Sequence, residues 1–341
     1  MARYIADQNK VVFQTESGTY ANASGAASTG QWIGQVTEHS VTDTENKIVS
    51  RFLGTATRSL DTTELGPRDI TGTLTYHPQD MRLVFWAIGS TNDVSGTASE
   101  HVVTEINTNV WTSPFVSGTG QLNAPISFTL EDSKQAPGTG RNFIRTINGC
   151  VPTTTTLTAT QGEKVNVEME YIGQTLTYSS GTTLSVTEET QTPYLWSDGT
   201  LTVSGMTIDT AKEVALTINN NIEPQHYVNG SRDIGVPFPK NRDTTLSVTF
   251  DLDAASDKAT TIYETLYKTN SVFNTTFTLD RSVTAGSQEV TFTLSGCRVT
   301  SMENPSTNEG VTESTMEIMV ERLLGSAIDS TALTNTYNFG F

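Results

Sequence analysis

Cysteine, basic charge and long apolar runs are what this chain of 341 residues has least of. Its two cysteines cannot build a disulfide scaffold and fall short of a zinc ligand set. Lys and Arg number 20 against 37 Asp and Glu, a formal net charge of −17. Such a chain does not hold nucleic-acid phosphates by counterion release, and an anionic membrane surface repels it. No apolar run approaches the roughly 20 residues of a membrane-spanning helix. The opening Met1-Ala2-Arg3-Tyr4-Ile5-Ala6-Asp7 lacks the apolar centre of a leader peptide, so the expected setting is a cytoplasm.

Reaction chemistry is equally sparse. The four histidines, His39, His77, His101 and His226, show no metal-ligand spacing, and His39 and His77 sit in strand-like contexts. Gly138-Thr139-Gly140-Arg141 lacks the Gly-Lys-Ser/Thr of a phosphate loop and reads as a hairpin turn. There is no Gly-x-Ser-x-Gly elbow. Glu188-Glu189 lies in a polar stretch and reads as solvated charge. Asn22, Asn229 and Asn274 begin Asn-x-Ser/Thr triplets, which chance supplies in a chain this rich in Ser and Thr. The chain therefore reads as a non-enzyme, with no cofactor and no metal.

What is abundant is threonine, 60 residues, with 26 glycines. Threonine is β-branched, suits a pleated surface and makes poor helix. Together with 35% hydrophobic residues, this predicts a mainly β protein with many turns and enough apolar surface for a core.

The sequence also repeats itself. Arg68-Asp69-Ile70-Thr71-Gly72-Thr73-Leu74-Thr75-Tyr76 alternates as a strand, as does Arg242-Asp243-Thr244-Thr245-Leu246-Ser247-Val248-Thr249-Phe250. Each runs into a predicted helix, Pro78–Gly89 and Asp253–Tyr267. Further on, Ile126–Glu131 matches Thr275–Asp280, Ile147-Asn148-Gly149-Cys150 matches Leu294-Ser295-Gly296-Cys297, and Val165–Glu170 matches Met316–Glu321. Shared order implies two tandem β-sandwich domains, each with a long β-hairpin and one flanking helix. Their boundaries are 30–173 and 200–323, with an N-terminal arm 1–29, a linker arm 174–199 and a C-terminal tail 324–341. That tail is apolar enough to dock on a neighbour. Cys150 and Cys297 then sit at equivalent places in separate cores, too far apart for a disulfide, and read as buried free thiols.

Each hairpin carries a polar tip before its Arg-Asp strand, Ser50–Pro67 after the strand Ile33–Val41, and Asn229–Asn241 after Glu213–Ile218. Loops of that length tend to be functional.

The stretch Ser50–Gly89 resembles the major tail tube proteins of tailed viruses. The resemblance lies in Ser50-Arg51-Phe52-Leu53-Gly54, Gly66-Pro67-Arg68-Asp69-Ile70-Thr71-Gly72-Thr73-Leu74-Thr75 and Pro78-Gln79-Asp80. The second copy departs from it, with Thr244-Thr245 for Ile-Thr-Gly and Asp253-Ala254-Ala255 for the Pro-led helix start. The resemblance implies a sandwich whose long hairpins join between subunits into a barrel around a lumen. Rings stack, and genome DNA passes through without specific binding. Partners are further copies of the chain and other tail proteins (tip or baseplate, terminator, and any sheath), with no membrane. The place is the virion tail, assembled in the host cytoplasm. Two copies per chain imply three chains in a pseudo-six-fold ring. The implied inter-ring residues are Ser50, Arg51, Thr55, Arg58, Asp61, Glu64 and Arg68 on the first tip, and Asn229, Arg232, Asp233 and Lys240 on the second. The inner tube of a related injection or secretion machine, and a viral decoration or surface β-sandwich, stay open as alternatives.

Overall fold

A computed structural model describes residues 9–16, 20–21, 30–50, 62–89, 91–93, 100–104, 125–136, 141–186, 188, 192–252, 258–281, 289–303 and 313–328. Strands dominate, as the threonine alternation requires. The N-terminal half holds β1 (Lys10–Thr15), β2 (Gln35–Ser50), β3 (Thr62–His77), helix α1 (Arg82–Ile88), β4 (Thr91–Asp93), β5 (Glu100–Thr104), β6 (Phe128–Ala136), β7 (Arg141–Thr160), β8 (Asn166–Gly173) and β9 (Thr175–Ser179). The C-terminal half holds β10 (Gly199–Val203), β11 (Met206–Thr207), β12 (Ala211–Asn219), β13 (Ile222–Glu223), β14 (Phe238–Pro239) and β15 (Asp243–Asp251). After them come α2 (Lys258–Thr261), which continues as a π-helical turn (Ile262–Tyr267), then β16 (Phe273–Asp280), β17 (Glu289–Glu303), β18 (Glu313–Val320) and β19 (Arg322–Ile328).

One antiparallel sheet runs through both halves in the order β2-β3-β8-β7-β12-β15-β18-β17. An outer sheet, β9-β7-β6-β1, covers the N-terminal half. A second, β11-β10-β16-β17-β19-β5-β4, covers the C-terminal half. β7 and β17 belong to both layers, and each turns from one to the other at a Gly-Cys pair. Gly149 and Gly296 both take φ +68°. Each following thiol donates to the carbonyl three residues back, Cys150 to Ile147 and Cys297 to Leu294. Both cysteines are buried and free.

The bulges fall in parallel places. The register slips between Val36 and Glu38 in β2 and between Ala211 and Glu213 in β12. It slips between Phe128 and Leu130 in β6 and between Phe273 and Thr275 in β16. It slips again between Pro152 and Thr154 in β7 and between Val299 and Ser301 in β17. A bulge bends its strand and is a specified feature rather than noise.

Several expectations change. With the two cysteines aligned, Phe128 faces Cys150 as Phe273 faces Cys297, and Thr154 faces Glu170 as Ser301 faces Glu317. The matches of Ile126–Glu131 and Val165–Glu170 to the second half are therefore out of register, each by two turns of the pleat. The second hairpin is short, because β12 and β15 are nine residues each against sixteen in β2 and β3. The first helix begins at Arg82 rather than Pro78, with Asp80 Oδ1 accepting the Arg82 amide at 3.0 Å. Asp253–Asp257, the start of the second expected helix, lies outside the described residues.

The segments read as arm, linker and tail contribute strands β1, β9 and β19 to the outer sheets. Their short alternations suffice because each adds to an existing edge. The cores are also not separate. One continuous set of buried side chains runs through both halves. Phe85 of α1 meets Phe292 of β17 edge-on, with centroids 5.9 Å apart.

Candidate assembly surfaces

The first surface is the β2–β3 hairpin. Ser50 closes it opposite Thr62, and exposed Glu64 lies opposite Ile48. Arg51, Thr55, Arg58 and Asp61 lie outside the described residues. Arg68 grips Asp43 on β2 with two parallel bonds, Nε to Oδ1 at 2.8 Å and Nη2 to Oδ2 at 2.7 Å. These hydrogen bonds hold the Asp43 carboxyl below the usual carboxylate range and raise the Arg68 guanidinium.

The expected second tip folds onto this same hairpin. The Arg68 amide donates to the Arg232 carbonyl at 2.9 Å, and Arg232 Nε donates to the Gly66 carbonyl at 2.9 Å. Arg232 also reaches Glu45 at 3.3 Å, Asp233 lies 3.7 Å from Arg68, and His226 lies 2.9 Å from Asp69. Ile234 is buried against Val151 and Ile172 of the N-terminal half. So Arg68, Arg232 and Asp233 come together within one chain. Asn229 instead caps a local turn through the Ser231 amide, and Lys240 pairs with Glu223 at 2.6 Å. Apolar side chains stay exposed around this cluster, Ile48, Val49 and Leu65 on the hairpin, and Tyr227, Val228 and Phe238 on the loop.

The second surface is the pair of outer edges of the continuous sheet. Among the described residues, β2 pairs only with β3, and residues Arg298–Glu303 of β17 pair only with β18. His39, half-buried as a residue but with its imidazole covered, ties β2 to the outer layer. It bonds Tyr171 at 2.7 Å and lies 3.4 Å from Asp132, which also pairs with Arg145. Burial works against the Asp132 charge, but hydrogen bonds from His39 and Arg145 win and hold its carboxyl low.

The third surface is the open face of that sheet. Ile70, Leu74, Val167, Met169, Leu157, Val214, Leu216, Leu246, Val248, Met316 and Ile318 point into the core. Alternation then leaves Thr71, Thr73, Thr75, Thr154, Thr156, Thr158, Thr217, Thr245 and Thr249 on the other side. Glu38, Glu168, Glu170, Glu213 and Glu317 punctuate this face. Glu38 and Glu213 follow matching bulges, and Glu170 and Glu317 face matching residues, Thr73 and Ser247. Among the described residues, bases stand at its ends: Lys212 beside Asp251 and Glu313, Arg298 beside Glu321, and Lys164 near Thr158 and Thr160, donating to Gln35.

No curated protein matches the chain. Among solved structures it is similar to the tube-terminating cap of the anti-feeding prophage, at 13% identity and a TM-score of 0.32, over 40% of this chain and 94% of that one. The family described as phage tail tube protein matches residues 10–320. The chain belongs to the phage tail tube protein family. Membership makes it a structural component of a virion tail, and the strand-rich fold agrees with the fold that the resemblance implied.

In this tail tube protein the open face and the two sheet edges join the hairpin tips as candidate assembly surfaces. The glutamates Glu38, Glu168, Glu170, Glu213 and Glu317 were missed by sequence reasoning. The signal was present, since each stands at a polar position of an alternating threonine strand. Which polar positions share one face becomes visible only once strand register is known.

Proposed function

We propose that this chain is a non-enzymatic tube subunit carrying two copies of one unit, three chains of which close a ring around a channel for genome DNA. The observation that carries the reading is the internal seam. β7, the last strand of the first four, pairs with β12, the first of the next four. β17 and β2 hold the corresponding positions at the free edges. The same antiparallel pairing between chains, β17 to the next β2, gives a closed barrel and removes both edges. Unpaired edges invite uncontrolled pairing, and closed rotation satisfies them. The matching bulges and Gly-Cys kinks support the two-copy reading, because they place equivalent strands at equivalent bends.

In such a ring the threonine face lines the channel. Its glutamates form two belts, one from Glu38 and Glu213, the other from Glu170 and Glu317. Carboxylates repel phosphates over roughly a Debye length, about 8 Å in physiological salt, and hydroxyls offer only weak neutral contacts. DNA slides past without being held.

The internal seam also sets the register between chains. Asn219 faces Thr154, and the corresponding residues are Thr44 and Ser301. A chain with Thr44→Cys and Ser301→Cys forms interchain disulfides on oxidation, and under denaturing, non-reducing conditions the largest species is a covalent trimer. A ladder that runs to six chains, or no crosslink in assembled tubes, overturns the reading. An image of the ring in projection counts the chains independently.

A further inference from the structure

Helix α1 is buried at all of its residues, Arg82–Ile88, because it lies between the two halves. Trp86 packs into its own half, with ring centres 5.3 Å from Phe13 and 6.1 Å from Phe128. Phe85 packs into the other half, against Phe292 of β17 and over Gly325 of β19, where a β-carbon would come within 2.8 Å of its ring. Asn220, the residue after β12, donates to the carbonyls of Ala87 at 3.0 Å and Pro152 at 3.2 Å. The helix therefore sits beneath the pairing of β7 with β12 and fills the gap between the layers there.

The element in the same place in the C-terminal half is covered on one side only. In the π-helical turn, Ile262 and Leu266 are buried in their own half. Tyr263, Glu264 and Thr265 are exposed, Tyr263 by 38%. The turn lies at the free edge of β17. Arg298, where the stretch that pairs only with β18 begins, donates to the Asn270 carbonyl at 3.0 Å.

A matching surface is open at the other free edge. The two halves keep one constant offset in numbering along β7–β9 and β17–β19, which carries Cys150 to Cys297 and Glu170 to Glu317. It carries Leu176 to Leu323, since Leu176 faces Ile147 and Leu323 faces Leu294, and so Tyr178 to Gly325. Gly325 is roofed by α1, whereas Tyr178 is 55% exposed beside Phe143, with ring centres 5.6 Å apart. Among the described residues β9 pairs only with β7, while β19 pairs with both β17 and β5. Arg68 places β9 beneath the β2–β3 hairpin, donating to the Leu176 carbonyl at 3.2 Å. At the internal seam the strand carries glycine and the helix phenylalanine. In the N-terminal half the strand carries the aromatic ring itself.

We propose that the π-helical turn Ile262–Tyr267 of one chain docks beneath β2 of the next, against Tyr178 of β9, as α1 docks beneath β12 against Gly325. The occupant is a second copy of this chain. Tyr178 fills from the strand side the space that Phe85 fills from the helix side. The inference rests on the ring reading, and adds a side-chain contact between the layers to its backbone seam.

The test compares assembled tubes with free chains by thiol alkylation, to which the buried native cysteines are inert. Tyr178→Cys and Tyr263→Cys label about tenfold or more slowly in tubes than in free chains. Thr177→Cys, exposed on the opposite face of the same strand, labels equally in both. Each tyrosine variant weakens the contact it reports, so native Tyr178 and Tyr263 are also read by hydroxyl-radical footprinting, with the same protection expected. Tyr178→Ala leaves the chain folded and raises the concentration at which rings form by about tenfold or more. Thr177→Ala changes it by less than about twofold. Unprotected tyrosines in tubes overturn the proposal, and so does equal protection of Thr177→Cys or an unchanged threshold for Tyr178→Ala. If the Thr44–Ser301 pair still closes covalent trimers in that case, the helix contact alone is lost and the ring reading stands. If that pair stays open as well, both are lost.

Discussion

At the scale of single residues, backbone conformation decides more than side-chain chemistry. The kink that lets β7 serve two layers needs a left-handed residue, and Gly149 supplies it at φ +68°. A β-carbon there would also come within 2.9 Å of Tyr20 and Ala21. Gly149→Ala is therefore expected to cost ~1–2 kcal/mol for the backbone and a further ~1–3 kcal/mol for displacing Tyr20, read as a lower urea midpoint. Charge enters through Asp43. Its carboxyl titrates lower folded than unfolded because Arg68 bonds the ionised form. The stability it contributes is complete above the unfolded value, about 4, and is lost as pH falls through the folded value. Loop 220–242, held beside this pair, should become more sensitive to an acid-active protease across that window. Asp43→Asn should already be sensitive at neutral pH and change less on acidification.

At the scale of elements, the sequence made strand type readable and strand register ambiguous. Asp243 opens β15, but Arg68-Asp69 lies inside β3, six residues past its start at Thr62, because the first hairpin is longer than the alternation alone suggests. The matches for β6 with β16 and β8 with β18 slipped by an even number of residues. In a threonine-rich strand an even slip keeps every apolar residue on its face, so pattern alone cannot reject it. The bulges and the Gly-Cys kinks fix the register, and they are tertiary features. The fold of loop 220–242 was illegible for a related reason. Its polar residues read as a solvated tip, whereas Arg232 finds Glu45 on β2 and Asp233 finds Arg68 on β3, partners far earlier in the chain. The β2–β3 tip stays the candidate for contacts between rings. Removing Thr55–Asp61 leaves both strands of the hairpin whole, so folded subunits that close rings but do not lengthen into tubes are expected by electron microscopy. Tubes of normal length would remove the tip from that role.

At the scale of the whole molecule, two seams hold the halves together. β7 pairs with β12 in the inner layer, and β5 pairs with β19 in the outer layer. The connection that carries β4 and β5 has no strand-bearing counterpart after α2, where only residues 268–272 precede β16. The seam inside the chain is thus doubly bonded in a way that a β17-to-β2 seam is not, and disassembly should proceed between chains. Channel chemistry is testable at the same scale. Tubes bearing Glu38→Lys and Glu213→Lys turn one belt cationic. They should retain double-stranded DNA at low salt and release it steeply as salt rises, whereas unmodified tubes retain none in a filter-retention assay.

The unequal hairpins have a consequence for how such a tube is phased. In the proposed ring of three chains, sixteen-residue strands in one half and nine-residue strands in the other would make a crown of alternating tall and low merlons. A crown of that kind seats on the ring above only after rotation by whole thirds of a turn, plus the fixed helical twist of the tube. A step of a sixth would set tall against low. A tube of the proposed three-chain rings would therefore carry a three-start surface pattern on a near six-fold wall. Any cap or baseplate that meets it with six identical arms must touch two kinds of site.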